Sequence, residues 1–305
     1  MRILLIDGLS LLYRAYYSSR IEYNSHKEPI NALKKYLITI HNICEEYPCD
    51  EIIICEDAPR DTLYRQKMFV EYKQGRKRPP EEFLQQKNIL FGFLRKIGFP
   101  VIGISGYEAD DIIGTMSKSL SEEGHSVLIA SPDKDMYQLL TNDRIAMIRH
   151  NPMTHSQQLL YRDDIYRDNG YWPEQVVELK ILAGDSSDNI PGVPRCGYRN
   201  AVKILQKHGT ISSMMISNDE DPIVIKAKEY ISSHSDTIDM FHKIITIQTD
   251  IDQDTISKQL AYRVSKDTFN ETMNRYQVMH PDDFMTMNFS EYLFNRLTDQ
   301  KGENE

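Results

Sequence analysis

The sequence predicts an α/β fold built on a parallel sheet, and two observations support this prediction. Short apolar runs of strand length alternate with longer stretches of helical apolar spacing through the first half of the chain. Acidic residues follow each of these runs. Because a parallel sheet places its functional site beyond the carboxyl ends of its strands, the pattern predicts one acidic site at one sheet edge.

The apolar runs at 3–6, 52–55, 101–104 and 127–130 are predicted strands, and 29–46, 81–97 and 109–123 have helical spacing. The alternation of predicted strands and helices ends near Trp172. Residues 174–183 and 198–208 are predicted helices separated by a turn at 184–189, and the remainder is mainly helical and polar. We find no internal repeat and no low-complexity linker, so we expect the second half to pack on the first.

Length and composition allow one large domain or two smaller ones, since the chain has 305 residues of which 40% are hydrophobic. The opening apolar run stops at Asp7, and no run approaches the roughly 20 residues that cross a membrane. The four cysteines form no CxxC pair, which disfavours a zinc site or a disulfide framework. We therefore expect a cytoplasmic protein.

The net charge of −9 is unusual for a protein that binds nucleic acid, but the charge is unevenly distributed. Residues 60–78 contain seven basic residues and two acidic ones, and residues 189–211 contain four basic residues and no acid. The nine acids of the predicted site account for the whole net charge. An acidic total therefore does not exclude a nucleic-acid substrate.

The acids that follow the predicted strands or lie in the turn of the second half are Asp7, Asp57, Glu108, Asp110, Asp111, Asp133, Asp135, Asp185 and Asp188. A single Asp after a strand is usually a helix cap or a turn residue. Recurrence after four strands instead indicates a shared pocket, in which the carboxylates repel one another unless cations neutralise them. An all-oxygen ligand set suits Mg²⁺ or Mn²⁺, and two such ions suit phosphodiester hydrolysis.

Two basic segments supply cations for a phosphate. In the first, Lys73 and Arg76 share a face if the segment is helical, and Tyr72 offers a ring on which a terminal base could stack. In the second, a turn from Gly192 to Gly197 leads into a helix, and its backbone N–H groups could hold a phosphate. Its basic residues recur every fourth position as Arg195, Arg199, Lys203 and Lys207. Such a stripe could grip a duplex backbone, although a solvated surface explains either segment taken alone.

Five motifs occur in an order that resembles the 5′-nuclease, or flap endonuclease, family. They are LLIDG with Asp7, Asp57 ahead of YKQGR, GYEADDIIG, SPDKDMYQLL and GDSSDNIPGV. That family includes the 5′–3′ exonuclease domain of bacterial DNA polymerase I and stand-alone phage enzymes. The resemblance runs from Met1 to about Leu205, with a weaker echo at FSEYLFNRL near the end.

The resemblance implies a PIN-like fold, with a mixed, largely parallel sheet flanked by helices and a helix–hairpin–helix module. It implies a catalytic domain over 1–175, with a helical arch at about 60–95, and a DNA-binding region with further helices over 176–305. The nine acids match metal ligands, those of the second metal being Asp135, Asp185 and Asp188. Tyr72, Lys73 and Arg76 match the arch motif that handles the scissile phosphate.

We expect DNA contacts from Arg14, Arg65, Lys77, Gly192, Arg195, Gly197, Arg199 and Lys203. The resemblance also implies K⁺ at the hairpin. Arg195 stands where the family usually has a hairpin glycine, and Asn200 stands where Thr is common. A side chain at that glycine position can alter the backbone that would hold the ion and the phosphate.

These observations predict a Mg²⁺-dependent 5′–3′ exonuclease and flap endonuclease that cuts 5′ ends of branched DNA, with Mn²⁺ as a substitute. We expect a monomeric, stand-alone nuclease of bacterial or phage origin that works with replication proteins. A ribonuclease that removes primers from RNA–DNA hybrids has the same motifs. A non-catalytic binder of branched DNA would gain nothing from a repulsive pocket. A small-molecule Rossmann enzyme lacks its GxGxxG motif here.

Overall fold

The computed structural model describes residues 1–150 and 156–298, and a six-stranded sheet lies at its centre. The strands are β1 (Arg2–Asp7), β2 (Glu51–Glu56), β3 (Val101–Gly103), β4 (Ser126–Ala130), β5 (Ile145–His150) and β6 (Gln157–Leu160). Across the sheet their order is β3-β2-β1-β4-β5-β6. Only β6 is antiparallel to its neighbour. The predicted mixed, largely parallel sheet is confirmed.

The central strands β1, β2 and β4 are apolar on both faces because helices cover both sides of the sheet. Ile3 and Leu5 of β1 belong to one hydrophobic core, and Leu4 and Ile6 belong to the other. From β1 the chain builds outward to β2 and β3, and then returns to place β4 on the opposite side of β1. The carboxyl ends of β1 and β4 therefore border the crevice in which such sheets bind ligands.

The helices of the first half are α1 (Gly8–Tyr17), α2 (Asn31–Glu46), α3 (Tyr64–Met68), α4 (Glu81–Lys96), α5 (Ala109–Glu122) and α6 (Arg162–Asn169). The predicted helices at 29–46, 81–97 and 109–123 are confirmed as α2, α4 and α5. Helices α1, α2 and α4 cover one face of the sheet, and α5 covers the other. None of the helices in the described residues combines the length and apolar character needed to cross a membrane.

The second half contains α7 (Val176–Ala183), α8 (Gly197–His208), α9 (Ile211–Ile216), α10 (Pro222–Ser233), α11 (Ser235–Ile245), α12 (Gln253–Leu260), β7 (Val264–Ser265), α13 (Lys266–Tyr276), α14 (Pro281–Met285), α15 (Ser290–Phe294) and β8 (Leu297–Thr298). Helices α7 to α12 extend the core on the α5 side. Helices α13 to α15 pack on the opposite face. The second half thus packs on the first, as expected. Residues 299–305 at the end of the chain lie outside the described ranges.

The segment at about 60–95, which was expected to form a helical arch, is α-helical only at α3 and α4. Residues 70–75 form consecutive turns and residues 76–80 have no regular secondary structure. The segment is therefore not helical there, and the condition under which Lys73 and Arg76 would share a helical face is not met. Lys73 has a φ of 55°, and Pro79 and Pro80 precede α4, so both features interrupt a continuous helix. Helix α4 itself buries Phe83 and is part of the core.

Candidate active site

The first group of acids lies at the carboxyl ends of β1 and β2 and the start of α5, and consists of Asp7, Asp57, Glu108 and Asp110. Asp7 is 3% exposed. Its Oδ1 accepts the Ser10 N–H at 3.0 Å and its Oδ2 accepts the Ser131 hydroxyl at 2.9 Å, which joins the ends of β1 and β4. Burial raises the pKa of Asp7 despite these hydrogen bonds.

The pKa values of Asp57 and Asp110 are also raised. Asp57 Oδ1 accepts the Ala109 N–H at 2.8 Å and so ties β2 to the first turn of α5. Burial, and then the neighbouring Asp7, raises the pKa of Asp57 to about 6. The same two causes raise the pKa of Asp110 well above its ordinary value. Three carboxyls of the first group thus lack sufficient positive charge around them.

Glu108 is the member of the first group that has cationic partners. Lys73 Nζ lies 2.6 Å from its Oε1, and Arg65 Nη1 lies 3.0 Å from its Oε2. Burial alone would raise its pKa, but Lys73 and Arg65 outweigh burial and lower it. Glu108 therefore holds Lys73 at the edge of the first group.

The second group consists of Asp135, Asp185 and Asp188, and one oxygen from each lies within 4.8 Å of the others. Asp133 connects the groups: its backbone N–H donates to Ser131 Oγ at 3.1 Å, and its Oδ1 accepts the Asp135 N–H at 3.0 Å. Burial, and then Asp133, raises the pKa of Asp135 to about 6. These hydrogen bonds place the second group beside the end of β4.

The basic turn at 70–76 spans the two groups. While Lys73 contacts Glu108 of the first group, Arg76 Nη2 lies 3.1 Å from Asp188 Oδ1 of the second. The turn is fixed to the loop after α7, because Asn189 Nδ2 donates to the Glu71 carbonyl at 3.2 Å. Acids from both halves of the chain and two cations thus meet at one sheet edge, as the sequence predicts.

Two predicted roles require correction because the side chains are enclosed. Asp111 is fully buried, and its two oxygens accept from Arg65 at 2.6 and 2.7 Å. Arg65 is 3% exposed and also donates to the carbonyls of Ile244 and Thr246. Asp111 is therefore an ion-pair partner rather than a metal ligand, and Arg65 joins α3, α5 and α11 rather than contacting DNA.

Tyr72 and Gly192 also differ from expectation. Tyr72 is 2% exposed and donates its hydroxyl to Glu108 Oε2 at 2.8 Å, so its ring is not open to a base. Gly192 is buried, and a Cβ there would lie 2.2 Å from the backbone nitrogen of Gly184. Gly192 therefore permits close packing of the loop on the end of α7, rather than offering a surface for DNA.

The remaining predicted DNA contacts lie on the surface. Arg14, Lys77, Arg195, Gly197, Arg199 and Lys203 are all exposed. Helix α8 buries Ala201, Ile204 and Leu205, which leaves its basic residues on the outer face. Arg195 adopts a φ of 65°, the left-handed conformation for which glycine is usual. These positions allow contact with a phosphate backbone, and DNA and K⁺ binding there stay predictions.

Sequence reasoning missed Ser131 and Lys180. Ser131 follows β4 and holds Asp7 and Asp133 in place. Lys180, on α7, lies 2.5 Å from Asp185 Oδ2 and also contacts Asp135. The spacing of Lys180, five residues before Asp185, gives no periodic signal, because the chain leaves the helix between them.

The comparisons agree with the motifs. The chain matches the family models "5'-3' exonuclease, N-terminal resolvase-like domain" over residues 2–169 and "5'-3' exonuclease, C-terminal SAM fold" over residues 171–268. DNA polymerase I of Bacillus caldotenax is 34% identical over 263 residues, which cover 86% of this chain and 30% of that protein. The 5'-3' exonuclease of Buchnera aphidicola subsp. Baizongia pistaciae is 32% identical over 262 residues, with 84% and 85% covered.

A solved structure of bacteriophage T5 5'-exonuclease with bound zinc has a TM-score of 0.67 and 21% identity, covering 89% of this chain and all of that one. The T5 flap endonuclease in complex with DNA and metal ions also has a TM-score of 0.67 and 21% identity, covering 89% and 99%. These likenesses show the fold. The chain spans about a third of the polymerase relatives. On the family models and these relatives, the chain belongs to the 5′–3′ exonuclease family.

Proposed function

We propose that this chain is a Mg²⁺-dependent 5′ nuclease that hydrolyses phosphodiester bonds at 5′ ends of flapped or branched DNA. The observation that carries the proposal is the bridging of two acid groups by one basic turn. Lys73 contacts the first group and Arg76 the second, so both cations lie where a phosphate held between the groups would need them.

The residues present fit divalent metal ions. Both groups contain only carboxylate ligands, which suits Mg²⁺ and allows Mn²⁺ to replace it. The raised pKa values of Asp57 and Asp110 indicate carboxylates whose repulsion a bound cation would relieve. When bound, a pair of such ions supplies an activated water and stabilises the departing oxygen of an in-line displacement.

The chain's own residues have separate tasks in this proposal. Asp7, Asp57, Glu108, Asp110 and Asp133 would hold the first ion, and Asp135, Asp185 and Asp188 would hold the second. Lys73 and Arg76 release their carboxylate partners and donate to the oxygens of the scissile phosphate. Lys73 lies in a turn and Arg76 in the irregular segment that follows it. Because neither extends from a packed helix, their side chains can exchange partners at modest cost.

In this proposal the basic surface residues bind the DNA duplex away from the phosphate that is cleaved. We assign residues 1–175 to the catalytic part and the region from 176 onward to duplex binding. The exposed stripe on α8 would contact phosphates without reading bases, which suits recognition of structure rather than sequence. Arg14 and Lys77 extend the basic surface on the catalytic side.

Cleavage of a duplex with an end-labelled 5′ flap tests the proposal. We expect cleavage near the branch in Mg²⁺ or Mn²⁺, none in EDTA, and none by Asp133→Asn although that variant still binds the flap. Matched substrates with an RNA flap, or as a blunt duplex, measure whether RNA–DNA hybrids are preferred. Cleavage that persists in EDTA, or robust cutting by Asp133→Asn, would refute the assignment.

A further inference from the structure

Lys180 places a positive charge inside the second acid group. It lies in the last turn of α7, and its side chain is 17% exposed. Its Nζ lies 2.5 Å from Asp185 Oδ2 and also contacts Asp135 Oδ1. Two of the three acids that could ligate an ion are thus already paired with an ammonium group.

The side chain of Lys180 extends from a helix that is packed in the core. Its neighbours in α7, Leu179, Ile181 and Leu182, are all buried in the core, which fixes the backbone from which the side chain extends. Both groups that its Nζ contacts are carboxylates, those of Asp135 and Asp185. A lysine side chain is ordinarily charged at neutral pH, so Lys180 places a cation between these two acids.

A divalent ion bound by the second group would meet the ammonium of Lys180 at two of its three acids, Asp135 and Asp185. Asp185 Oδ1 is already engaged, since it accepts from the Ser187 N–H at 2.8 Å and from the Ser187 hydroxyl at 2.7 Å. An incoming ion must take Asp185 Oδ2 from the ammonium, or share it while the two like charges repel. In the first group the ion pairs involve Glu108 alone, through Lys73 and the helix-borne Arg65. Among the described residues no cation lies within ion-pair distance of Asp7, Asp57 or Asp110.

We propose that Lys180 is a built-in counter-ion that competes with the second divalent cation for Asp135 and Asp185. This inference rests on the metal sites of the proposed function. Its consequence is an unequal pair of sites: the first group binds its ion tightly, and the second fills only at higher metal concentration. Lys180 is thus a positioning residue that sets metal affinity without touching the substrate.

Metal binding without DNA tests the inference directly. Mn²⁺ titrations followed by the electron paramagnetic resonance signal of free Mn²⁺ give the dissociation constants of wild type, Lys180→Met and the control Lys118→Met. Lys118 is exposed on α5, outside the site. We expect the weaker dissociation constant to fall at least about tenfold in Lys180→Met, because a like charge within a few ångströms is gone. The tighter constant, and both constants in the control, should not change.

Lys180→Gln is a second variant that tests the inference if Lys180→Met does not fold. Melting temperatures provide a second measurement. In EDTA both variants should melt below wild type, because Asp135 and Asp185 lose their counter-charge. Saturating Mn²⁺ should raise their melting temperatures more than it raises that of wild type. An unchanged or weaker second site in the folded variants would overturn the role of Lys180 alone. Failure of wild type to bind any Mn²⁺ would overturn the metal sites of the proposed function as well.

Discussion

The two acid groups differ in the origin of the positive charge that balances them. In the first group the cations contact one acid, Glu108: Lys73, which lies in a turn, is 2.6 Å away, and the buried Arg65 of α3 is 3.0 Å away. The second group contains Lys180, which extends from a packed helix. The first group thus has a movable counter-charge, Lys73, and a fixed one, Arg65, both on a single acid. The fixed counter-charge of the second group, Lys180, contacts two of its three acids.

The largest expected effect comes from Asp110, whose carboxyl no cation contacts directly in the described residues. Asp110→Asn should slow flap cleavage by about 10³-fold or more, since losing one preorganised electrostatic contact already costs about 10²–10³. Its melting temperature in EDTA should rise, because burial and Asp7 disfavour the ionised carboxyl. Single-turnover cleavage and thermal melting measure both effects. The exposed Asp143→Asn is the control, and a variant that melts lower without metal contradicts the prediction.

The neighbouring Asp111 should behave in the opposite way. Asp111→Asn breaks a buried pair with Arg65 and should lower the free energy of unfolding by about 3–5 kcal/mol. Urea unfolding measures this loss. Arg65→Met combined with Asp111→Leu should recover part of it, because no buried charge is then unpaired. Equal stability of Asp110→Asn and Asp111→Asn would remove the distinction between a metal ligand and an ion-pair partner.

Adjacent acids show what the sequence can and cannot predict. The motif GYEADD follows a predicted strand, so it correctly indicates acids at the sheet edge. Successive helical residues point about 100° apart, so Asp110 and Asp111 cannot both face the pocket. Which of them does depends on Arg65, which lies 46 residues before Asp111 and meets it only in the folded chain. The sequence therefore predicts the cluster and misses its internal division.

The same limit explains the other differences. The apolar runs of β1, β2 and β4 are buried on both faces and were predictable, whereas β6 is a partly exposed edge strand of sequence QQLL and was not. Tyr72 stands beside Lys73 in a basic segment, which suggests a surface ring; its burial follows from the tertiary hydrogen bond to Glu108. The types and order of the residues predicted where the site lies. Which acid pairs with which cation could be seen only in the three-dimensional structure.

Removal of the movable counter-charge should affect the chemical step. Lys73→Ala is expected to reduce the single-turnover rate by about 10²-fold or more, because a cation near the developing phosphate charge is lost. Binding of the flap should change much less. The exposed Lys77→Ala, in the same segment, is the matched control. Equal losses in rate and in affinity for Lys73→Ala would show that it binds the strand without assisting the reaction.

Metal ions should stabilise the fold in a pH-dependent manner. Folding raises the pKa of Asp57 and Asp135 to about 6, from an ordinary value near 4. The stability that these groups contribute is present below pH of about 4 and is lost as the pH rises through about 6. Mg²⁺ should therefore raise the melting temperature more at pH 7.5 than at pH 5, as thermal melting can measure. A larger gain at pH 5 would contradict this.

The smallest expected effect concerns α8, where one basic residue is paired with an acid and another is available to bind DNA. Lys207 is exposed but already paired with Asp219 at 2.6 Å, whereas no acid lies within ion-pair distance of Arg199 in the described residues. Arg199→Ala should therefore weaken duplex binding several-fold and reduce the slope of log K against log salt by about 0.9. Lys207→Ala should change both less, because its charge is partly neutralised before DNA arrives. Fluorescence anisotropy at several salt concentrations measures both variants, and a larger salt effect for Lys207→Ala would show that pairing in the free protein does not determine availability to DNA.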